Sequence, residues 1–268
     1  MANDLAPLLY SLRTVYGYDF TGYSEASIRR RISRFMEVSR IGSFGELEER
    51  LRREEPFFES FVQELTVNVT EMFRDPPFYK SLREKLVKRL ATYPFLKIWV
   101  AGCSTGEEVY SLAILLLEEG LLDRSVIYAT DINRRSLQAA KDGIFSLEQM
   151  KGYTANYQKA GGRRTFSDYY IARYNSVLFD RSLRQNIVFS VHNLAVDGSF
   201  NEFQLISCRN VLIYFNQGLQ NRVIRLFYDS LCPLGFLALG NKESLLFSDK
   251  KPQFSEVDRK EKIFMKKE

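Results

Sequence analysis

Two patterns of apolar positions divide the chain near Tyr93. Before this residue, apolar side chains recur at helical spacing between turn signals, which predicts short amphipathic helices. From Leu96 onward, apolar runs of strand length alternate with helical stretches, which predicts a mostly parallel sheet covered on both faces. The predicted strands are Leu96–Ala101, Val126–Asp131, Ile187–Val191, Phe203–Ser207 and Gly235–Leu239, with the terminal KEKIFMKK as an edge strand.

This change of pattern predicts an α/β protein whose sheet follows a small N-terminal all-helical domain. We place the helical domain at residues 1–75, a linker helix at 76–92 and the sheet domain at 93–268. The linker helix is expected to begin near Asp75, which could cap it, since Pro76 and Pro77 suit a first helical turn. The alternation fails at about 153–186, where short runs at Tyr169–Ala172 and Ser176–Phe179 predict a small antiparallel insertion on the carboxyl side of the sheet.

The turn after the first predicted strand carries the most specific chemistry. Gly102 and Gly106 permit positive φ and close backbone approach, and a helix follows them. Glu107 and Glu108 at the start of that helix would repel a pyrophosphate but suit an ammonium and a sulfonium, which favours S-adenosylmethionine over NAD or ATP. Asp131 ends the next strand close to the roughly 20-residue offset at which an acid binds ribose hydroxyls, although it could instead cap the following helix.

Five ordered motifs extend this interpretation over most of the chain. They are NVTEMFR from Asn68, AGCSTGEEVYS from Ala101, ATDIN from Ala129, Asn193-Leu194, and SCRNVLIYF from Ser207. With them the chain resembles the CheR-type chemotaxis receptor methyltransferases, apart from Met72, where that family usually has an aromatic residue. The resemblance implies a methyltransferase fold on the doubly wound sheet, with S-adenosyl-L-methionine as cofactor and S-adenosyl-L-homocysteine as product.

The resemblance also implies roles for residues of these motifs. Arg74 would bind the carboxylate of the cofactor or steer an acidic substrate, while Asn68 and Thr70 would contact the cofactor unless they only cap a helix. Glu107 is then available for the ammonium of the cofactor. The predicted cofactor-binding residues are Asn68, Thr70, Arg74, Gly102, Glu107, Asp131, Asn193, Leu194, Arg209 and Asn210.

A second group of polar residues follows the strand that ends at Ser207. Ligands of open α/β sheets bind at the carboxyl edge, so Arg209, Asn210 and Tyr214 are candidate site residues unless they merely anchor the loop. Tyr214 would orient the methyl acceptor, and it joins Arg74 as a predicted catalytic residue. His192, the single histidine of the chain, is expected to be a packed neighbour of the site rather than a catalyst.

The lack of a histidine base bears on the acceptor. A glutamate carboxylate, with a pKa of about 4.3, is already ionised at neutral pH, so its methylation requires positioning and exclusion of water rather than a base. This fits the reaction that the resemblance implies, methylation of receptor glutamates to methyl esters. Two alternatives are a nucleic-acid amino-methyltransferase and a non-catalytic adaptor that senses S-adenosylmethionine.

The nucleic-acid alternative rests on one segment. Asp75-Pro76-Pro77-Phe78 imitates the DPPF signature of DNA enzymes that methylate a flipped base, but that signature should end a buried strand, whereas the preceding residues indicate a helix and a loop. We therefore expect no nucleic-acid partner. The presence of both Arg74 and Asp131 argues against the adaptor.

The formal net charge of +5 is concentrated near the front of the chain. Arg29, Arg30, Arg31 and Arg34 lie on one predicted amphipathic helix. A solvated charged face is the ordinary explanation, but beside a methyltransferase site these arginines are predicted to bind the acidic cytoplasmic helices of chemoreceptors. By resemblance, the insertion is a candidate site for a receptor tail peptide.

Composition sets the remaining expectations. The chain has 45% hydrophobic residues, no apolar run long enough to span a bilayer and no secretory signal at its start, so we expect a cytoplasmic protein without membrane insertion. Its three cysteines are scattered, which favours reduced thiols, and no residues have metal-ligand spacing. Nothing in the sequence demands more than a monomer.

Overall fold

The computed structural model describes residues 5–66 and 69–268. This part of the chain begins with four amphipathic helices. They are α1 (Leu5–Tyr16), α2 (Glu25–Val38), α3 (Phe44–Arg53) and α4 (Glu55–Leu65). Helical spacing places Ile28, Ile32 and Phe35 on one face of α2, and all three are buried. Leu47 of α3 and Phe61 of α4 pack into the same apolar core. The predicted all-helical domain is confirmed.

A helical linker joins this domain to the sheet. It comprises α5 (Pro76–Ser81), a π-helical turn (Leu82–Leu86) and α6 (Val87–Leu90). Proline occupies the first turn of α5, as predicted, but Asp75 makes no capping hydrogen bond. Its carboxylate instead lies 2.7 Å from the guanidinium of Arg209. Arg83 in the π-helical turn pairs with Glu118 and Glu119, so the linker is anchored to the helix that follows the first strand.

Ten strands and five further helices follow in the described chain. The strands are β1 (Leu96–Ala101), β2 (Ser125–Asp131), β3 (Ile144–Ser146), β4 (Tyr170–Arg173), β5 (Ser176–Phe179), β6 (Ile187–Val191), β7 (Phe203–Cys208), β8 (Leu231–Leu239), β9 (Phe254–Asp258) and β10 (Ile263–Lys266). The helices are α7 (Glu107–Glu118), α8 (Arg134–Asp142), α9 (Met150–Lys159), α10 (Arg181–Arg184) and α11 (Gln217–Ser230). None of the described helices is long and apolar enough to cross a membrane.

The main sheet has the strand order β6-β2-β1-β7-β8-β10-β9. The first five strands in this order are parallel, and β10 and β9 are antiparallel additions at one side. The prediction of a terminal edge strand is wrong, because β10 lies between β8 and β9. Its consecutive residues Ile263 and Phe264 point to opposite faces of the sheet and are both buried, so both faces of β10 are covered. β9 forms the edge of the sheet.

Two apolar layers cover the two faces of the sheet. Ile98 of β1 packs in one cluster with Leu112 of α7. Trp99, the next residue of β1, points to the other face and packs edge-on against Phe227 of α11, with ring centroids 5.3 Å apart. The predicted doubly wound, mostly parallel sheet is confirmed.

The small antiparallel sheet has the order β3-β5-β4. The two predicted short runs form β4 and β5, which pair in antiparallel register. Its third strand, β3, comes from residues that precede the predicted insertion, and α9 extends into the interval where the predicted alternation of strand and helix fails. Tyr153 and Tyr157 of α9 are buried in the main core, so this helix is covered by tertiary contacts.

Candidate active site

A cleft opens where the carboxyl ends of β1, β2 and β7 meet the helical domain. The space between its walls, including the open mouth, is about 1010 Å³. Tyr23, Leu65 and Thr66 of the helical domain form one wall. The sequence-predicted residues that line the cleft are Thr70, Arg74, Gly102, Asp131, Asn193, Leu194, Arg209, Asn210 and Tyr214. Asn68 lies outside the described residues.

Main-chain pairing attaches the helical domain to this cleft. The amide of Ser24 donates to the carbonyl of Tyr214 at 2.8 Å, and the amide of Asn216 donates to the carbonyl of Gly22 at 2.8 Å. Tyr23 and Phe215 form an antiparallel bridge between these bonds. The wall of the cleft is therefore fixed by backbone hydrogen bonds between sequence regions far apart in the chain.

The glycine turn after β1 has the geometry that its sequence predicts. Gly102 has φ +75° and Gly106 has φ +96°, the left-handed region that favours glycine. A Cβ atom on Gly102 would lie 2.5 Å from Cγ2 of Val211. The backbone therefore forms the floor of the cleft at a point where a side chain does not fit.

Asp131 ends β2 inside the cleft. Its carboxylate accepts from the amide of Ser104 at 2.8 Å and from the amide of Asn133 at 2.9 Å. Burial raises the pKa of this carboxyl group, and these backbone hydrogen bonds oppose the rise. The alternative role as a cap of α8 belongs to Asn133, whose side chain accepts from the amides of Arg135 and Ser136.

The two acids at the start of α7 point in different directions. Glu107 is buried outside the cleft lining, where its carboxylate accepts from the hydroxyl of Thr105 at 2.7 Å, and burial raises its pKa. Glu108 lines the cleft. Adjacent helical positions lie about 100° apart, so only one of them can face the ligand. This placement corrects the expectation for Glu107, and Glu108 is the carboxylate that α7 presents to the cleft.

Arg209 lines the cleft, and its guanidinium is bound by other side chains of the protein. Its guanidinium lies between the carboxylates of Asp75 at 2.7 Å and Glu108 at 3.1 Å, and over the ring of Phe78 at 4.0 Å. Its side chain is only 1% exposed. Ser207 donates a further hydrogen bond to Glu108 at 2.6 Å. Arg209 is therefore engaged in a buried ion network that supports the cleft.

A buried acid that the sequence did not single out holds the loop after β7. The carboxylate of Glu243 accepts from the amides of Asn210 at 3.0 Å, Val211 at 2.8 Å and Leu212 at 2.7 Å, as well as from Gly240 at 2.6 Å. These bonds fix the loop that carries Asn210, whose φ of 63° is tolerated by asparagine. No local motif marks Glu243, because these three loop amides come from 31 to 33 residues earlier in the chain.

The two predicted catalytic residues, Arg74 and Tyr214, both line the cleft. Arg74 donates to the carbonyl of Val69 at 3.1 Å, which leaves further guanidinium donors free for a ligand. Tyr214 ends a 3₁₀ turn (Leu212–Tyr214). Burial raises the pKa of Tyr214, while Arg31 and Arg74 oppose the rise, so the hydroxyl is a protonated donor at neutral pH.

The four predicted docking arginines of α2 do not form one uniform face. Arg30 is exposed, and Arg34 is largely exposed beside Glu64 at 3.5 Å. Arg29 pairs with Glu25 at 2.8 Å. Arg31 turns inward instead, over the ring of Tyr214 at 5.4 Å. The helix thus presents Arg30 and Arg34 outward while Arg31 faces the cleft mouth.

Two protein-family models match this chain. The model of the all-alpha domain of CheR methyltransferases matches residues 3–66, and the model of their SAM-binding domain matches residues 68–263. The chain belongs to the CheR methyltransferase family. It is 50% identical over 259 residues to the putative methyltransferase Cher3 of Pseudomonas putida, covering 97% of this chain and 95% of that protein.

Two further relatives of this CheR-family protein carry a functional name. It is 34% identical to chemotaxis protein methyltransferase 2 of Pseudomonas aeruginosa, covering 85% of this chain and 84% of that protein. It is 31% identical to the chemotaxis protein methyltransferase of Listeria innocua, covering 89% of this chain and 90% of that protein. The family makes it a methyltransferase with S-adenosylmethionine as cofactor.

The cleft fits this cofactor. Nδ2 of Asn193 is buried without a hydrogen-bond partner among the described residues, which leaves a donor for a heterocyclic base. Each carboxylate oxygen of Asp131 has acceptor capacity beyond its backbone bond, which suits ribose hydroxyls. Arg74 can bind a carboxylate and Glu108 an ammonium. No cluster of described residues could hold a metal ion.

Proposed function

We propose that this methyltransferase transfers a methyl group to glutamate side chains of chemoreceptors, forming glutamyl methyl esters. The observation that carries the proposal is the position of α2: its arginine-bearing surface adjoins the mouth of the cofactor cleft, where Arg31 meets Tyr214. An acidic helix bound along α2 would bring its carboxylates to that mouth. The names of the relatives support the same class of substrate.

The groups around the cleft suit an acceptor that is already ionised. S-adenosylmethionine supplies an electrophilic methyl group. A glutamate carboxylate needs no deprotonation at neutral pH, and no histidine other than His192 is present to act as a base. His192 is buried, with its ring edge-on to Trp99 at 5.1 Å, as expected for a packed neighbour.

Arg74 and Tyr214 would then act by positioning. In this proposal the guanidinium of Arg74 attracts the acceptor carboxylate or holds the carboxylate of the cofactor, and the hydroxyl of Tyr214 donates to the acceptor oxygen that does not react. Thr70, Gly102, Asp131, Asn193, Leu194 and Asn210 bind the cofactor, with Glu108 in place of Glu107. Exclusion of water when cofactor and acceptor fill the cleft would strengthen these interactions.

Recognition of the receptor helix is assigned to the outward part of α2. Arg30 and Arg34 offer guanidinium groups to acidic side chains of the cytoplasmic receptor helices, which places the reaction in the cytoplasm. A contact of this kind is electrostatic and weakens as salt rises. Reversal of these two charges should therefore reduce receptor binding.

The small sheet is a candidate second contact for the receptor tail. Ile144 of β3, Leu178 of β5 and Ile171 of β4 are register partners across the three strands, and all three are exposed, by 56%, 40% and 62%. β4 is an edge strand of this sheet. An extended apolar peptide could add to that edge and cover the row, since strand addition combines backbone pairing with side-chain contacts.

The nucleic-acid alternative loses its sequence support. Asp75-Pro76-Pro77-Phe78 starts α5 rather than ending a strand. Asp75 and Phe78 are both engaged with Arg209, so neither is directed at a flipped base. A non-catalytic adaptor would have the same cofactor cleft, so it would differ from the proposed enzyme only in transferring no methyl group.

The deciding experiment is transfer of a labelled methyl group to a receptor cytoplasmic fragment and, in parallel, to duplex DNA. We expect label on the receptor fragment that mild alkali releases as methanol, the behaviour of a glutamyl ester. Arg74→Ala should lose most of this label. Alkali-stable label on DNA would support the nucleic-acid alternative, and cofactor binding without transfer to several receptor fragments would support the adaptor.

A further inference from the structure

The helical domain places one tyrosine inside the cofactor cleft. Tyr23 lines the cleft together with Asp131. Its ring packs edge-on against Phe20 at 5.1 Å and against Phe215 at 4.9 Å, and its backbone is bridged to Phe215. These contacts fix the direction of the side chain through its ring and backbone and leave its hydroxyl group unused.

The hydroxyl of Tyr23 has no hydrogen-bond partner within residues 5–66 and 69–268. Burial, together with the nearby carboxylates of Asp131 and Asp19, raises the pKa of Tyr23, so the group stays protonated. Tyr23 is partly buried, and a hydroxyl that lines a cleft without a protein partner is available to donate to a bound ligand. Among the described residues, Asp131 accepts hydrogen bonds only from backbone amides.

We propose that Tyr23 is a cofactor-binding residue, donating a hydrogen bond to a ribose hydroxyl that in turn donates to Asp131. A donor and an acceptor that face one cleft without bonding to each other match a single ligand hydroxyl between them. The inference rests on the assignment of Asp131 to the ribose, and it is independent of the methyl acceptor. In this proposal the helical domain contributes a residue to the cofactor site and also recognises the substrate.

The test is calorimetric binding of S-adenosylhomocysteine to the full chain and to two variants. Tyr23→Phe removes only the hydroxyl and should weaken binding by about three- to tenfold. Tyr18→Phe is the matched control, because Tyr18 also stacks on Phe20, at 6.1 Å, but does not line the cleft. Its affinity should equal that of the wild type. Thermal midpoints of both variants verify that the fold is retained.

An analogue of S-adenosylhomocysteine without ribose hydroxyls identifies the atoms involved. The wild type and Tyr23→Phe should bind this analogue equally, because the hydrogen bond has no acceptor there. Unchanged affinity of Tyr23→Phe for S-adenosylhomocysteine itself would overturn the proposal, and so would an equal loss for both ligands. No methyl transfer is measured, so a failure of receptor methylation leaves this result interpretable.

Discussion

Arg31 stacks on Tyr214 across the boundary between the helical domain and the sheet domain. The guanidinium carbon lies 5.4 Å from the ring centroid. The same guanidinium donates to the carbonyl of Glu64 at 3.2 Å and to the hydroxyl of Ser27 at 3.4 Å. Arg30, one position earlier, is exposed. Neighbouring arginines on α2 therefore have different surroundings, and single substitutions can test the role of each.

We expect Arg31→Ala to lower kcat for receptor methylation by about two- to thirtyfold, since a cation–π contact is worth about 0.5–2 kcal/mol. Arg30→Ala should raise KM for the receptor fragment instead, because it removes a docking charge. The measurement is steady-state kinetics at fixed, saturating cofactor. A rise in KM alone, of the same size in both variants, would indicate that Arg31 has the same docking role as Arg30.

Arg74→Ala should reduce methyl transfer by about tenfold to a hundredfold, the effect of losing a charge-assisted hydrogen bond of about 1.5–3 kcal/mol. Arg259→Ala is the control, because Arg259 is exposed and outside the cleft lining. Thermal midpoints should stay close to that of the wild type in both. Unchanged turnover of Arg74→Ala would remove this residue from the site.

Glu243→Gln should destabilise the protein by about 1–3 kcal/mol, because one acceptor oxygen becomes an amide group that cannot accept the clustered backbone donors. Affinity for S-adenosylhomocysteine should fall as well, since Asn210 and Val211 line the cleft. Urea unfolding and calorimetry measure the two effects. Glu256→Gln, at an exposed position, should change neither quantity, and a Glu243→Gln variant with wild-type affinity would show that the loop does not need this clamp.

Asp258 should contribute stability that depends on pH. Burial alone would raise its pKa, but hydrogen bonds from Lys85 and Ser81 outweigh that effect and lower the pKa to about 2. The unfolded-state pKa is about 3.9, so the contribution is present above that pH and is lost as pH falls towards 2.

Asp258→Asn should therefore cost about 1 kcal/mol at pH 7, after allowance for solvent screening. The difference in free energy of unfolding between the wild type and Asp258→Asn should narrow as pH falls from about 5 to about 3. Urea midpoints at several pH values test this. A difference that stays constant over that range would contradict the assigned pKa.

Ile171→Lys should weaken binding of a receptor tail peptide, because it places a charge in the exposed apolar row of the small sheet. Calorimetric titration of the peptide measures the loss. Val188→Lys is the control, since Val188 is exposed by 45% on β6, the edge strand of the other sheet. Equal binding by both variants would exclude the row as the peptide site.

Most of the regular elements and the cofactor turn could be predicted from the sequence. β1 and β6 have the predicted bounds, because each is an apolar run of strand length between turn signals. Gly102 and Asp131 were recognisable because the turn and the strand end are local features of one strand–helix–strand unit. Local periodicity and local sterics set these features, and both are contained in consecutive residues.

Features that depend on distant partners required the tertiary structure. The inner position of β10 follows from its pairing with both β8 and β9, and the placement of Glu108 rather than Glu107 in the cleft lining follows from how α7 packs on the sheet. The placement of Tyr23 in the cleft and of Arg31 over Tyr214 follows from docking of the helical domain. The sequence by itself determined the elements, the cofactor turn and the family motifs, while folding decided which side chains meet, because such contacts join residues far apart in the chain.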